Sequence, residues 1–176
     1  MEIARTERLR LRRFEASDVP DFIKWMADPR VMRFARTGTL SAKAAEVRFE
    51  RMLVHNERHG YGLWAVTTRD DNQALGYCGL IHQEVDGHAE VEIGYSLTPG
   101  IWGRGYATEA ARAAREVAWS MTDRPYLISL IHPENQASHR VAEKNGMRKW
   151  RETVWRDEPV WVYRVDRPSA SDEPMD

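Results

Sequence analysis

A chain of 176 residues, 42% of them hydrophobic, suits one domain with a proper core and excludes a disordered polymer. Lys and Arg number 26 against 27 Asp and Glu, so no global basic field exists to hold nucleic acid. No apolar run reaches membrane-spanning length, Met1 to Arg5 lacks the order of a signal peptide, and a single cysteine excludes an internal disulfide. A cytoplasmic protein with neither a membrane nor a nucleic-acid partner is the expectation. Cys78 lies in the apolar run Ala74 to Ile81 and reads as a core thiol, not a nucleophile.

Leu9 to Phe14 is predicted as the first strand, with Leu9 and Leu11 inward and Arg10 and Arg12 on a solvated face. Asp18 should cap a helix that has Pro20 in its first turn, an apolar face of Val19, Phe22, Ile23 and Met26, and an end at Asp28-Pro29. Val31 to Thr39 reads as either a short helix or a loop. Ser41 to Arg58 is a second helix, with Ala45, Phe49, Met52 and Leu53 inward and a close near Gly60. His55 and His59 share one of its faces, but without a third ligand they are expected to be surface histidines and not a metal site.

Leu63 to Arg69 and Ala74 to Val85 read as strands, and Asp86-Gly87 as a hairpin turn into a third that carries Glu90 and Glu92. The middle of the chain is thus an antiparallel meander. Alanines 107, 110, 111, 114 and 118 recur at helical spacing, which opens a helix near Ala107. Then follow the strand Tyr126 to His132, a helix from about Gln136 to Lys144 capped by Asn135, and the strands Met147 to Trp155 and Val160 to Asp166. Strand, helix, strand in that order forces a parallel crossover. Residues 1–167 are expected to form one domain, an α+β fold with helices against a mixed, mostly antiparallel sheet. Residues 168–176 should form a loose tail.

The stretch from Leu97 to Arg112 stands out, because Gly103 and Gly105 flank Arg104 between the strand and the helix start. Glycine allows a tight turn and a close ligand, and a helix start offers unpaired N–H groups and a positive dipole end. Together they make a seat for an anion, most naturally a pyrophosphate. The spacing fits neither the P-loop nor the dinucleotide fingerprint.

Trp102-Gly-Arg-Gly-Tyr-Ala107 instead resembles the acyl-CoA loop of the GNAT superfamily of N-acyltransferases, Arg/Gln-x-x-Gly-x-Gly/Ala, with Trp102 standing at the Arg/Gln position. The longer string from Glu92 through this loop is similar to the branch containing the Rim-type ribosomal-protein N-terminal acetyltransferases. Two further blocks, Asn135 to Met147 and Thr6 to Phe14, extend the resemblance over nearly the whole chain. It implies acetyl-CoA or another acyl-CoA as co-substrate, no metal, and a cleft where the two strands flanking the glycine-loop helix splay apart. It also implies a loop, Trp102, Gly103, Arg104, Gly105, Tyr106, Ala107 and Thr108, that grips the diphosphate through main-chain N–H groups. Tyr95, Ser96 and Leu97 stand where that family pairs the pantetheine arm with strand backbone, and Asn135 where it bonds the same arm.

Acyl transfer from a thioester to an amine needs a base, an oxyanion donor and an acid for the leaving thiolate. Glu92 is the expected base. By alternation it shares a face with Glu90, and that face also reads as the strand's wet side, more so for Glu90 than for Glu92, which is nearer the splay. A free amide, that of Tyr95, is the expected oxyanion donor. For the acid, the tyrosine common in the family's later helix is replaced here by Ala142, so Ser138 is the substitute and Tyr163 the alternative. Ser138 also reads as an ordinary helix-start hydroxyl, and Arg104 as either a phosphate ligand or a solvated arginine. An α-amine, with a pKa of about 8, is easier to deprotonate than a lysine near 10.4, which favours a protein N-terminus or a weakly basic small amine as acceptor. Direct transfer without a covalent enzyme intermediate is expected. A non-catalytic acyl-CoA-binding module and nucleic-acid binding through Arg5 to Arg13 are the competing readings, and pairing into a homodimer is left open.

Overall fold

The computed structural model describes residues 1–169, so the expected tail lies outside the described residues from position 170 onward. The first half of the chain forms β1 (Glu2–Arg5), β2 (Leu9–Arg12), α1 (Val19–Ala27), α2 (Ala42–His59), β3 (Leu63–Thr68), β4 (Ala74–Val85) and β5 (His88–Leu97). The second half forms α3 (Tyr106–Met121), β6 (Tyr126–Ile131), α4 (Gln136–Lys144), β7 (Arg148–Trp155) and β8 (Glu158–Asp166). The strands lie side by side in the order β1-β2-β3-β4-β5-β6-β8-β7. Every neighbouring pair is antiparallel except β5 and β6.

Both faces of the sheet are covered. Trp64, Val66, Cys78, Leu80, Val91 and Ile93 pack on one side against the alanine stripe of α3 (Ala110, Ala111, Ala114, Ala118), which is short enough to let helix and sheet approach closely. On the other side Ala65 meets Phe14, Phe22, Trp25 and Met26, with Ala45, Phe49 and Met52 of α2. Three edge-to-face ring pairs join Phe14, Phe22 and Phe49. Ser41 caps α2 by accepting from the Ala44 N–H, and Gly60 closes it in the left-handed conformation (φ 75°). No helix among the described residues is long and apolar enough to cross a membrane.

Several expectations need correction. The first strand ends at Arg12 and is preceded by a short partner, β1, which four residues with polar ends gave no reason to suspect. Arg12 is not solvated. Because α1 and α2 cover its face, it is buried, and its guanidinium holds both Asp18 carboxylate oxygens at 2.7 and 2.8 Å. Asp18 therefore does not cap α1 with its side chain. It accepts from Arg12 and from the Glu15 N–H (2.8 Å) instead. Burial works against ionised Asp18, but the Arg12 and Glu15 bonds override it and hold the carboxyl below its ordinary range. Residues 31–39 form turns, not a helix. His55 and His59 are half-buried: the N–H of His82 in β4 donates to His55 Nε2 at 3.0 Å, and the His59 and His82 rings stack. No group of side chains among the described residues could hold a metal ion.

Candidate active site

The single parallel contact places the site. β5 and β6 pair at one register, Glu92 opposite Ile128, and then part. A cleft of about 140 Å³ opens between them, and Glu92, Tyr95, Asn135 and Ser138 all line it. Four residues singled out in the sequence thus converge on one cavity, at the carboxyl ends of adjacent parallel strands where such crevices form.

Glu92 and Glu90 are both buried, so neither lies on a wet strand face. They differ in what they meet. Glu90 accepts from the Tyr126 hydroxyl at 2.9 Å and lines no part of the cleft. Glu92 lines it and accepts from Gln83 Nε2 at 2.9 Å. Burial drives its carboxyl up to about 7, although bonds from Gln83 and the Leu130 N–H and the charge of Arg156 oppose the rise. A carboxylate that titrates near neutrality is matched to taking protons there.

The main chain of β5 supplies the second feature. The Thr98 N–H bonds the Leu75 carbonyl of β4, whereas the Ile93 carbonyl accepts from the Ser129 hydroxyl of β6 at 2.7 Å. Polar groups alternate sides along a strand, so those of Gly94 and Ser96 face β4 and those of Tyr95 face the splay. Ser96, expected beside Tyr95 as a pantetheine contact, thus spends its main-chain groups on the β4 ladder opposite Tyr77. The Leu97 carbonyl is also occupied, accepting from the Trp102 indole at 2.7 Å.

At the cleft's far wall, Asn135 caps α4 by accepting from the Ser138 N–H at 3.1 Å, which leaves its amide NH2 unused by the cap. The Ser138 hydroxyl makes no hydrogen bond among the described residues, while its carbonyl accepts from the Tyr95 phenol at 3.0 Å. That bond straps β5 to the start of α4 across the splay. Burial holds the Tyr95 phenol strongly protonated. Ala142 is buried beneath α4 beside Tyr163, so neither occupies the wall.

The glycine loop lies beyond Leu97 and does not line this cavity. Gly103 and Gly105 adopt φ of 76° and 82°, the left-handed region that disfavours side chains. Space is not the reason at Gly103, where a Cβ would meet nothing within 4 Å; backbone conformation is. The N–H groups of residues 103–108 find no protein partner among the described residues, and the last three begin α3. Successive left-handed turns opening onto a helix start form the donor set a diphosphate requires. Arg104 is exposed, and its guanidinium lies 5.4 Å from the Tyr106 ring.

Sequence reasoning missed the outer support of this loop. Arg8, in the β1–β2 turn, donates to Glu109 at 2.7 Å and to the Arg104 carbonyl at 3.0 Å, and stacks 4.3 Å over Tyr106. Glu109 also accepts from the Thr6 hydroxyl and the Arg8 N–H. Burial opposes its ionisation, yet these bonds hold it below the ordinary carboxylate range. Phe34 and His132 were missed as well. Their rings lie 5.2 Å apart at the cleft. Contacts between residues some hundred positions apart leave no local pattern to find.

A mixed sheet with one splayed parallel pair, a glycine nest on a helix start and a buried acid in the opening defines an acyltransferase of the coenzyme A type. The Acetyltransferase (GNAT) domain family matches residues 8–148, and the chain belongs to that family and is an N-acetyltransferase. It is 34% identical over 166 residues to the Bacillus subtilis protein YkkB, covering 90% of this chain and 92% of that one. The crystal structure of an acetyltransferase from Agrobacterium tumefaciens superposes with a TM-score of 0.81 at 30% identity, over 93% of this chain and 94% of that one. RimL, a ribosomal L7/L12 alpha-N-protein acetyltransferase solved in complex with coenzyme A, shares the fold at a TM-score of 0.76 and 17% identity, over 94% and 98% of the two chains.

Proposed function

We propose that the protein moves an acetyl group from acetyl-CoA directly to a primary amine, an α-amine before a lysine, with Glu92 as the base. One observation carries this reading: the buried Glu92 carboxyl, which burial pushes up to about 7, lines the same cleft as Tyr95 and Ser138. The donor supplies the thioester carbonyl and the departing thiolate. Main-chain N–H groups from Gly103 to Thr108 would hold its diphosphate, and the Asn135 amide its pantetheine arm. The bound CoA of the RimL neighbour supports that choice of donor.

Glu92 takes the proton from the incoming ammonium, directly or through one water, at its carboxylate oxygen. Gln83 and the Leu130 N–H fix the carboxylate while this happens. The Tyr95 N–H, aimed into the splay, steadies the carbonyl oxygen as negative charge gathers on it. Ser138 donates its hydroxyl proton toward the sulfur, and the buried Ala142 leaves that role to it. Direct transfer is the route proposed, and it fits a chain whose one thiol, Cys78, is wholly buried in the core away from the cleft.

Mixing the protein with acetyl-CoA and a panel of α-amines, lysine analogues and small amines, and following free thiol, tests the reading. Thiol release above background with α-amines is expected, and release with no amine in the panel would refute it. Glu92→Gln should keep acetyl-CoA affinity while turnover falls; loss of both together would mean that Glu92 holds structure and not the proton.

A further inference from the structure

The segment joining α1 to α2 touches two hollows. Phe34 lines the catalytic cleft, and Thr37 and Leu40 line an open groove of about 490 Å³ along the first half of α2. Three residues span at most about 11 Å, so the groove begins within that reach of the cleft mouth. Its lining combines the apolar Leu40, Ala44 and Val47 with the cationic Lys43, Arg48 and Arg51.

The charge there is out of balance with the rest of the molecule. Residues 30–51 carry six cations and two acids, in a chain whose formal net charge is −1. Of the cations lining the groove, Arg48 and Arg51 make no ion pair among the described residues and Lys43 meets Glu46 at 3.4 Å, while Glu46 and Glu50 themselves line no part of it. Unneutralised guanidinium groups beside apolar side chains fit carboxylates borne on an extended chain. A small amine would be satisfied by the cleft alone. From this we infer that the acceptor is a peptide N-terminus followed, within its first few residues, by acidic side chains that lie in the groove. The inference rests on the transfer reading above and narrows its acceptor.

The test uses the full chain, acetyl-CoA and three hexapeptides that share one N-terminal residue and continue with acidic, neutral or basic side chains. Thiol release gives kcat/KM for each. Two or three exposed charge contacts predict an acidic-to-neutral ratio of about tenfold, with the basic peptide poorest. The ratio should fall toward one at 1 M salt, where charges are screened beyond about 3 Å. It should also fall toward one in a Lys43→Gln, Arg48→Gln, Arg51→Gln variant, and Arg48→Lys with Arg51→Lys should retain most of it. A ratio near one in the unaltered protein, or one that survives the triple substitution, overturns the inference. So does acetylation of small amines but of no peptide.

Should no amine at all be acetylated, the transfer reading fails instead, and fluorescence anisotropy of the acidic peptide, labelled at its C-terminus, still decides the groove. Binding to the CoA-loaded protein that disappears in the triple variant sustains it, and no binding refutes it.

Discussion

Replacing Glu92 by glutamine should sharply lower turnover and, at alkaline pH, make the protein more stable. Burial moves this carboxyl from an ordinary 4.5 up to about 7. At 1.36 kcal/mol for each pH unit between the two values, keeping it ionised in the fold costs on the order of 3 kcal/mol. Below pH 4.5 the group is neutral whether the chain is folded or not, and no penalty exists. As pH rises toward 7 the unfolded chain ionises while the folded one holds its proton, so stability falls. Above 7 the full penalty applies. Glutamine escapes it, because it carries no charge to bury and its carbonyl can still accept from Gln83.

The variant should therefore gain about 3 kcal/mol at pH 8 and less than about 1 kcal/mol at pH 5. For a chain of this size that is a rise in Tm of roughly 6 to 12 °C at the higher pH. Thermal melts at both pH values, together with thiol release from pH 5.5 to 9, measure the two effects. In the unaltered enzyme kcat/KM should climb with an inflection near 7, and the residual rate of the variant should not. Equal gains at pH 5 and pH 8 would show that burial does not perturb Glu92. A persisting inflection in the variant would place the base elsewhere.

Gly105→Ala forces a side chain into φ 82° at the start of α3 and should cost about 1 to 2 kcal/mol, with acetyl-CoA affinity falling several-fold by calorimetry. Arg12→Ala leaves Asp18 buried without its charge partner and should lower stability by about 3 to 5 kcal/mol in urea unfolding, the loss shrinking as pH falls through the depressed Asp18 value. Tyr95→Phe removes the strap to the Ser138 carbonyl, so KM for acetyl-CoA should rise more than kcat falls; Ser138→Ala should show the opposite split in steady-state kinetics.

Local rules made the fold largely legible. Asp86 and Gly87 both take positive φ, 52° and 78°, as a two-residue hairpin turn demands, and the alanine spacing of α3 marked the face that packs. Glu92 could be singled out because it lies on the strand that leads into the glycine loop. Its rivalry with Glu90 could not be resolved that way. Both acids share a strand face, and the difference between them, a tyrosine hydroxyl on β6 plugging one, is a tertiary fact. Arg12 misled for a related reason. Alternation tells which residues share a face but not whether a helix covers it, and α1 and α2 cover the face that was taken to be wet. Arg8 gave no signal, since a strand-turn arginine acquires its partners Glu109 and Arg104 only when the β1–β2 turn meets the start of α3.

The sheet sacrifices main-chain pairing where a ligand needs it, and side chains confine the loss. Past Glu92, β5 has no ladder partner on its β6 side. Unpaired polar groups in a buried strand are costly, so an open run of five residues would not be tolerated cheaply. The Ser129 hydroxyl satisfies the Ile93 carbonyl at one end, and the Trp102 indole satisfies the Leu97 carbonyl at the other. What remains is a short window centred on Tyr95, wide enough for one amide-bearing chain to pair. Trp102 stands where the family pattern has Arg or Gln. Its indole closes this window, and the loop that follows offers main-chain N–H groups, which do not depend on the side chain at that position.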